Sequence, residues 1–346
     1  MIIKEHFFGT FSDGKEAHLF TVSNRDMSFS VTDYGCLVTS IILPSKNGQK
    51  DDIALGFSSF GAYTQTQKGY FGALVGRYAN RIKNAAFSLD GEEYHLDKNE
   101  GANYVHGGFN GYNHRLWNSQ IIETPEGAGI RFTGLSPDGD QGFPGNLEIE
   151  INYLLNDKND FIQIYRAWTD KDTPVNITNH SSYNLRGSGK GTILDQDLTL
   201  HCDSYLEVDS ELIPTGNYSS VEGTIYDFRK SKAIGKDQAK TPNNVYDLCF
   251  IINGQANTMR PCVEYYERDS GRHMMVSTNQ PGLQVYTGKR LEGLEGKTGI
   301  VYREYGGLVL ETQNMPDAPN HKNFPNCILH PGETYESKTV YSFFWS

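Results

Sequence analysis

Apolar and polar residues alternate along much of this chain, and this period of two constrains the fold more than any other feature. The clearest run is residues 147–153, which read LEIEINY. Because successive side chains of a β-strand point to opposite faces of the sheet, such a run predicts a strand with one buried face. A second run, residues 161–168, follows the turn sequence NDKND, and together the two runs predict a β-hairpin.

Another hairpin is predicted around Asp90-Gly91, which residues 87–89 and 94–96 flank in an alternating pattern. Asp-Gly between alternating segments is a strong hairpin signal because a two-residue turn needs left-handed backbone at both positions. Further strands are predicted at residues 19–22, 37–43, 198–202, 274–278, 283–287, 308–312 and 339–344.

Helical periodicity is rare, with at most a short helix over residues 61–68. The 36 glycines, together with Asn and Asp, interrupt the strands at short intervals. These features predict an all-β sandwich of many strands. We see no linker, charge block or repeat, so we expect a single domain over residues 1–346, although the length would also permit two.

The net charge of −11 argues against nucleic acid or an anionic membrane as a partner, because both favour clustered Lys and Arg. A neutral or small polar ligand fits better. The five cysteines show no C-x-x-C spacing, and their odd number favours reduced thiols in a cytoplasmic protein. We find neither a signal peptide nor a run of about 20 apolar residues, so we expect a soluble protein that is not exported.

Four acid/base residues stand in distinctive settings: His106 in VHGG, His180 in NITNHS, Asp247 in VYDL and Glu311 in LVLETQN. They span more than half of the chain, so only folding could bring them together. Two imidazoles and two carboxylates are suited to proton transfer near neutral pH. The leading interpretation is therefore an enzyme.

The local sequence around each of these residues bears on whether its role is functional or structural. Gly107 and Gly108 after His106 would let the backbone approach a ligand, and the polar residues around His180 would form a poor core strand but a good hydrogen-bonding wall. Glu311 follows an apolar run, where desolvation would raise its pKa towards that of a useful base, but strand alternation could instead point it to solvent. Asp247 could be an ordinary turn residue.

A pair of residues, Asn80 and Arg81, could supply hydrogen-bond donors to ligand oxygens, although an exposed Arg is usually only solvated.

Six ordered motifs resemble those of the aldose 1-epimerase family, also called galactose mutarotases. They cover nearly the whole chain and comprise residues 75–82 (VGRYANRI), 99–108 (NEG leading to HGG), 136–145 (SPDGDQGFPG), 176–181 (NITNHS), 280–288 (QPGLQVYTG) and 310–314 (LETQN).

The resemblance implies a large antiparallel β-sandwich with an open sugar cleft, a small-molecule sugar substrate, no metal and no organic cofactor. It assigns Glu311 as the base that takes the proton from the anomeric hydroxyl and His180 as the acid that protonates the ring oxygen. His106 would hold and polarise the region around O1 and O5. Further matching positions, which would hydrogen-bond the sugar hydroxyls, are Asn80, Arg81, Asp247 and Gln284.

The chain departs from the family pattern at Leu248, where a histidine usually follows the aspartate, so the resemblance does not assign a preference for galactose. Nor does the sequence assign an oligomeric state. Three other classes of protein are alternatives. A cupin would use closely spaced His-x-His ligands, and a glycoside hydrolase would need two working carboxylates and leave the histidines without a role. A non-catalytic carbohydrate-binding protein on the same fold stays open as the alternative.

Overall fold

The computed structural model describes residues 1–65 and 70–346, and β-strands dominate this part of the chain. In chain order, the strands are β1 (Ile2–Thr10), β2 (Glu16–Ser23), β3 (Ser28–Thr32), β4 (Val38–Pro44), β5 (Lys50–Asp52), β6 (Ala73–Val75), β7 (Arg81–Ile82), β8 (Ala86–Leu89), β9 (Glu92–His95), β10 (Tyr104–Val105), β11 (Asn118–Thr124), β12 (Gly127–Ser136), β13 (Leu147–Leu155), β14 (Asp160–Thr169), β15 (Thr173–Pro174), β16 (Thr178–His180), β17 (Ser182–Tyr183), β18 (Asp197–Leu200), β19 (Cys202–Val208), β20 (Pro214–Ser220), β21 (Lys232–Ala233), β22 (Asp247–Ile252), β23 (Arg260–Glu267), β24 (Arg272–Thr278), β25 (Gly282–Tyr286), β26 (Leu308–Gln313), β27 (Ile328–Leu329) and β28 (Tyr335–Trp345).

Helical structure is short. The α-helix α1 spans Phe60–Gln65 and so overlaps the segment 61–68 that was predicted as a short helix. The end of the predicted segment, 66–68, lies outside the described residues. Single 3-10 turns occupy Lys83–Ala85, Tyr112–His114, Asp140–Gly142, Ile234–Lys236, Gln238–Lys240, Pro242–Asn244, Lys289–Leu291, Lys297–Gly299 and Ala318–Asn320. No helix within the described residues is long and apolar enough to cross a bilayer.

Three sheets carry the architecture. The largest has nine strands in the order β11-β12-β13-β14-β28-β24-β23-β18-β21, the second has six in the order β17-β26-β25-β22-β19-β20, and the third is the meander β1-β2-β3-β4-β5. Neighbouring strands in these sheets pair antiparallel. One apolar core includes Phe29 of the meander, Tyr165 of the nine-stranded sheet and Leu310 of the six-stranded sheet. The prediction of an all-β, large antiparallel β-sandwich is confirmed.

Both predicted hairpins form. Strands β13 and β14 pair from Leu147 opposite Thr169 to Leu155 opposite Phe161. Strands β8 and β9 are joined by Asp90 and Gly91, whose φ angles of 52° and 84° are both left-handed. The short turn therefore has the geometry that makes Asp-Gly favourable in hairpins.

One predicted strand is in fact two. The segment 198–202 was expected to be continuous, but β18 ends at Leu200 in the nine-stranded sheet and β19 begins at Cys202 in the six-stranded sheet. At His201 the chain therefore passes from one layer of the sandwich to the other. An apolar run gives no sign of such a crossing, since both halves are buried strands.

The polar segment around His180 is more deeply buried than expected. Asn176, Thr178 and Asn179 are at most 2% exposed. Their side chains donate to backbone carbonyls: Asn176 to Ala79, Thr178 to Thr312 at 2.9 Å, and Asn179 to Gly72. Because each of these three buried side chains finds an acceptor, they connect the site loops to the six-stranded sheet. The expectation that the segment is a poor core strand is wrong.

Candidate active site

The floor of the candidate site is formed by three adjacent strands, β26, β25 and β22. Glu311 on β26 lies opposite Gln284 on β25, and Asp247 begins β22, which pairs with the other edge of β25. Gln284 Nε2 donates to Asp247 Oδ1 at 2.6 Å. The three side chains form a polar row across one face of the sheet.

Alternation along β26 explains how Glu311 reaches this face. Leu308 and Leu310 belong to the apolar core, so the alternate positions, Val309 and Glu311, face the opposite way. The sequence left open whether that side would be solvent. Glu311 is in fact only 2% exposed, and the two site histidines lie beside it.

The two histidines come from different parts of the chain. His180 ends β16, where it pairs with Ala73 of β6, and His106 follows β10 in a loop. Their ring centroids are 5.4 Å apart, and the ring of Tyr70 lies 5.2 Å from His106 and 5.5 Å from His180. The backbone N–H of Asn80 donates to His106 Nδ1 at 3.2 Å. This bond leaves the proton of a neutral imidazole on Nε2 of His106.

Gly107 and Gly108 have a different role from the one expected. Both have positive φ angles, of 103° and 76°. A Cβ at Gly107 would lie 2.4 Å from the Gly76 carbonyl oxygen, and one at Gly108 would lie 2.8 Å from side-chain oxygens of Asp97 and Gln141. The glycines therefore permit close packing of protein segments against each other, and this packing fixes the loop that carries His106.

Reactive atoms of the two histidines and the glutamate converge. Side-chain donor atoms of His106, His180 and Glu311 all lie within 4.8 Å of one another. Nδ1 of His180 and Oε1 of Glu311 are buried and have no hydrogen-bond partner within the described residues. Buried polar atoms are rarely left unpaired, and these two belong to residues that line the cavity described next.

A cavity of about 440 Å³ opens above this row. Its volume falls within the range of small-molecule sites. The structure places all the residues singled out in the sequence on its walls: Asn80, Arg81, His106, His180, Asp247, Gln284 and Glu311. We call this cavity the cleft.

Comparison with known proteins identifies the family. The family model described as aldose 1-epimerase matches residues 18–342. The chain belongs to the aldose 1-epimerase family. A galactose mutarotase from Rattus norvegicus is 40% identical over 333 residues, covering 96% of this chain and 95% of the relative. An aldose 1-epimerase from Escherichia coli K12 is 37% identical over 340 residues, covering 96% of each chain.

Solved structures agree with this assignment. The galactose 1-epimerase from Lactobacillus acidophilus NCFM superposes with a TM-score of 0.86 at 27% identity and covers both chains completely. The aldose epimerase homologue from C. elegans has the same TM-score at 29% identity, covering 99% of each chain. Similarity therefore extends over the whole sandwich.

In this aldose 1-epimerase family member, burial moves the pKa values of the acid/base groups in opposite directions. Desolvation, with a smaller contribution from the charge of Asp247, raises the pKa of Glu311 to about 8, against the opposing effect of Arg81. Desolvation lowers the pKa of His180 to about 4. It also lowers the pKa of His106, assisted by His180 and Arg81. At neutral pH the free cleft therefore holds a protonated Glu311 and two neutral imidazoles.

Sequence reasoning missed the residue that fixes Arg81. Glu100 accepts from Arg81 Nε at 2.7 Å and from Nη2 at 3.2 Å, and it also lines the cleft. This two-point ion pair holds the guanidinium in place, so Arg81 is not merely solvated. Glu100 lies within one of the motifs that resemble the family, but no local pattern distinguishes it from a surface acid.

Other residues of the cleft wall were also missed. They are Tyr70, Val105 and Tyr286, and Ser182, Arg290 and Leu291 complete the wall. Aromatic rings such as Tyr70 and Tyr286 can pack against the C–H face of a sugar. With 21 tyrosines in the chain, composition alone could not select these two.

The convergent histidines and glutamate are also the residues that could hold a metal. Two imidazoles and a carboxylate form a ligand set that first-row divalent metals accept. Such an ion would bind the same lone pairs that accept and deliver protons. Metal binding and acid/base catalysis by these three side chains are therefore mutually exclusive uses of one site.

Proposed function

We propose that this protein is an aldose 1-epimerase, which interconverts the α and β anomers of aldohexoses such as galactose and glucose. The observation that carries the proposal is the convergence of a buried carboxylate and two buried imidazoles in the cleft. The names of the rat and E. coli relatives support the same activity. A cytoplasmic location fits five cysteines that are all buried and unpaired.

Glu311 and His180 carry the two proton transfers. Ionised Glu311 accepts the proton of the O1 hydroxyl while protonated His180 gives its proton to the ring oxygen O5. As the O1–H electrons form the C1–O1 double bond, the C1–O5 bond breaks and leaves an aldehyde and a C5 hydroxyl. Neither transfer needs an electron carrier, because no oxidation state changes overall.

The second half of the reaction reverses these steps. After rotation about the C1–C2 bond, the C5 hydroxyl returns its proton to His180 and attacks the other face of the carbonyl. Protonated Glu311 then gives its proton to O1, and the opposite anomer results. Both groups end in their starting states, as catalysis requires.

The remaining site residues hold the sugar. Arg81, fixed by Glu100, and Asp247, bonded to Gln284, offer charged hydrogen-bonding groups to the remote hydroxyls. Asn80 holds His106 so that its Nε2–H can donate to the O1 and O5 region. Fixing the ring while C1 turns avoids an entropic cost that would otherwise fall on the transition state.

The pKa values imply that the reactive form is a minor tautomer of the free enzyme. Near neutral pH the pair formed by Glu311 and His180 carries one proton, which resides mainly on Glu311. The mechanism needs the same single proton on His180. Because the two forms differ only in where this proton sits, their ratio does not change with pH.

We therefore expect a broad plateau in the pH profile of kcat/KM for galactose mutarotation. Activity should fall above about pH 8, where the pair loses its proton from Glu311. It should also fall below about pH 4, where His180 becomes protonated while Glu311 keeps its proton, so that the pair carries two protons. Desolvation also raises the pKa of Asp247, so protonation of Asp247 adds to the loss of activity at low pH. Polarimetry after subtraction of the uncatalysed rate at each pH measures the profile. A single rise at pH 6 to 7 would contradict it.

Polarimetry of freshly dissolved α-D-galactose and α-D-glucose tests the proposed activity. We expect the protein to accelerate the approach to the equilibrium rotation of at least one sugar, and prior treatment with EDTA to leave the rate unchanged. Both results follow from catalysis by side-chain proton transfer alone. A rate abolished by EDTA and restored by a divalent ion would instead favour a metalloenzyme, and the absence of acceleration with both sugars would contradict the activity.

A further inference from the structure

One of the six motifs in the sequence, residues 136–145, has no part in the cleft. Within the described residues, the wall of the cleft contains no member of this segment. The segment follows the end of β12 and contains the 3-10 turn Asp140–Gly142. It contacts the loop that carries His106, and these contacts give the motif a role in the reaction.

The loop that carries His106 has little support of its own. His106, Gly107 and Gly108 have φ angles of 51°, 103° and 76°, so three consecutive residues are outside the range of a β-strand. On the amino-terminal side, the His106 N–H donates to the carbonyl of Asn80 at 3.3 Å. On the carboxy-terminal side the chain leaves β10, and its position depends on other partners.

Two side-chain oxygens hold that carboxy-terminal side. Oδ2 of Asp97 accepts from the backbone N–H of Phe109 at 3.2 Å, and Oε1 of Gln141 accepts from the backbone N–H of Asn110 at 3.1 Å. The same two oxygens would lie 2.8 Å from a Cβ at Gly108. The chain is thus bound at two consecutive amides directly after the glycines that follow His106.

A third contact reaches the carbonyl of the same residue. Nη2 of Arg115 donates to the Asn110 carbonyl at 3.0 Å and to Oδ1 of Asp140 at 2.7 Å. The Asp140 carboxylate also accepts from the hydroxyl of Ser136. Both backbone polar groups of Asn110 are therefore bound by the motif, its N–H directly by Gln141 and its carbonyl through Arg115.

The motif is itself fixed from behind by Arg77, which is only 2% exposed. Nη1 of Arg77 donates to the carbonyls of Pro144 at 2.6 Å and Gly145 at 3.0 Å. Its Nη2 donates to the Ser136 carbonyl at 2.9 Å. A buried, planar guanidinium that uses several donors holds its partners in one geometry, so the motif is a rigid support for the loop.

The backbone of Gln141 also points to a use for its side chain. Gln141 has a φ of 51°, in the left-handed region that residues with a side chain rarely adopt. Gly139 and Gly142 in the same turn have φ angles of 81° and 91°, and there glycine avoids the strain. A strained position that keeps a long polar side chain indicates that the side chain is needed.

We propose that Gln141 and Asp97 are positioning residues for the epimerase reaction, because they hold the loop that places His106 over the sugar. This inference rests on the proposed epimerase function. Neither side chain lines the cleft, so each acts through His106, whose Nε2–H donates to the O1 and O5 region. A displacement of this loop weakens that hydrogen bond and leaves the groups at the remote hydroxyls in place.

Gln141→Met tests the proposal, since Met has a similar length but no oxygen to accept the Asn110 N–H. We expect kcat/KM for α-D-galactose to fall about tenfold, mainly through a rise in KM, as for loss of His106 itself. Polarimetry measures both constants. Gln120→Met, at an exposed position of β11, makes the same change away from the loop and should be silent.

A second background separates positioning from general destabilisation. In a His106→Asn protein there is no imidazole to position, so adding Gln141→Met should lower kcat/KM by less than about twofold. An equal factor in both backgrounds would overturn the proposal, because Gln141 would then act independently of His106. A change of less than about twofold in the wild-type background would also overturn it.

Variants of Asp97 guard against misfolding of Gln141→Met. Asp97→Asn keeps an oxygen for the Phe109 N–H and should retain most of the wild-type activity, whereas Asp97→Ala should show the loss, again only when His106 is present. Equal activities of these two variants would overturn the role of Asp97. An active wild type with silent variants would overturn the positioning role alone, and a wild type that accelerates neither galactose nor glucose would overturn the epimerase function with it.

Discussion

Glu311→Gln is expected to lower kcat for mutarotation by at least about a hundredfold, since proton transfer by a positioned side chain contributes about this much or more. Gln has nearly the same shape and can still hydrogen-bond the anomeric hydroxyl, but it cannot accept a proton. It also removes the buried acid whose pKa is raised to about 8. Polarimetry with α-D-galactose measures the loss, and the basic limb of the pH profile should disappear with it.

A binding measurement distinguishes a loss of catalysis in Glu311→Gln from a loss of galactose affinity. Galactose affinity, measured by calorimetry, should change little, because the hydrogen-bonding groups at the remote hydroxyls are untouched. Glu123→Gln, at an exposed position on β11, makes the same chemical change away from the cleft and should be silent. If Glu311→Gln retains full activity, Glu311 is not the base. If the wild type binds galactose without accelerating its mutarotation, the protein is a non-catalytic sugar-binding module.

His180→Asn should have the second-largest effect, a loss of about two orders of magnitude in kcat. Asn places its amide near the position of Nδ1, the atom without a partner in the cleft, but it cannot deliver a proton to O5. The fall in activity near pH 4 that is assigned to His180 should also shift, leaving the part due to Asp247. Steady-state polarimetry across the pH range measures both changes.

His106→Asn is the informative comparison for this variant. His106 already accepts a hydrogen bond from the Asn80 backbone through Nδ1, and its proposed role is to donate from Nε2. We therefore expect a smaller loss of kcat and a larger rise in KM than for His180→Asn. A larger loss of kcat in His106→Asn would reverse the roles assigned to the two histidines.

Local patterns predicted most strands but not their arrangement. Alternation located β13 and β14, an apolar run located β26, and the Asp-Gly turn located the β8–β9 hairpin. The position of β28 between β14 and β24, at the centre of the nine-stranded sheet, could not be predicted. Pairing partners depend on contacts between residues far apart in sequence, and several apolar strands would serve equally well.

At the site, the residues with unusual chemistry could be selected from the sequence, but their supports could not. His106, His180 and Glu311 stood out because each occupies a setting with a poor structural explanation. Glu100 is an ordinary acid in sequence, and its importance lies entirely in the 2.7 Å contact with Arg81.

The unpaired atoms of the cleft also make the folded state less stable than it could be. Oε1 of Glu311 and Nδ1 of His180 lose their hydration on folding and gain no protein partner among the described residues, at about 1–3 kcal/mol each. Because the pKa of Glu311 rises from 4.5 to about 8 on folding, the folded state retains a proton that the unfolded chain releases. Its contribution to the free energy of unfolding is therefore fully present below about pH 4.5 and is lost progressively up to about pH 8. Polarimetry and thermal denaturation therefore both report on the carboxylate of Glu311. A bound sugar that hydrogen-bonds these two atoms should also raise the melting temperature.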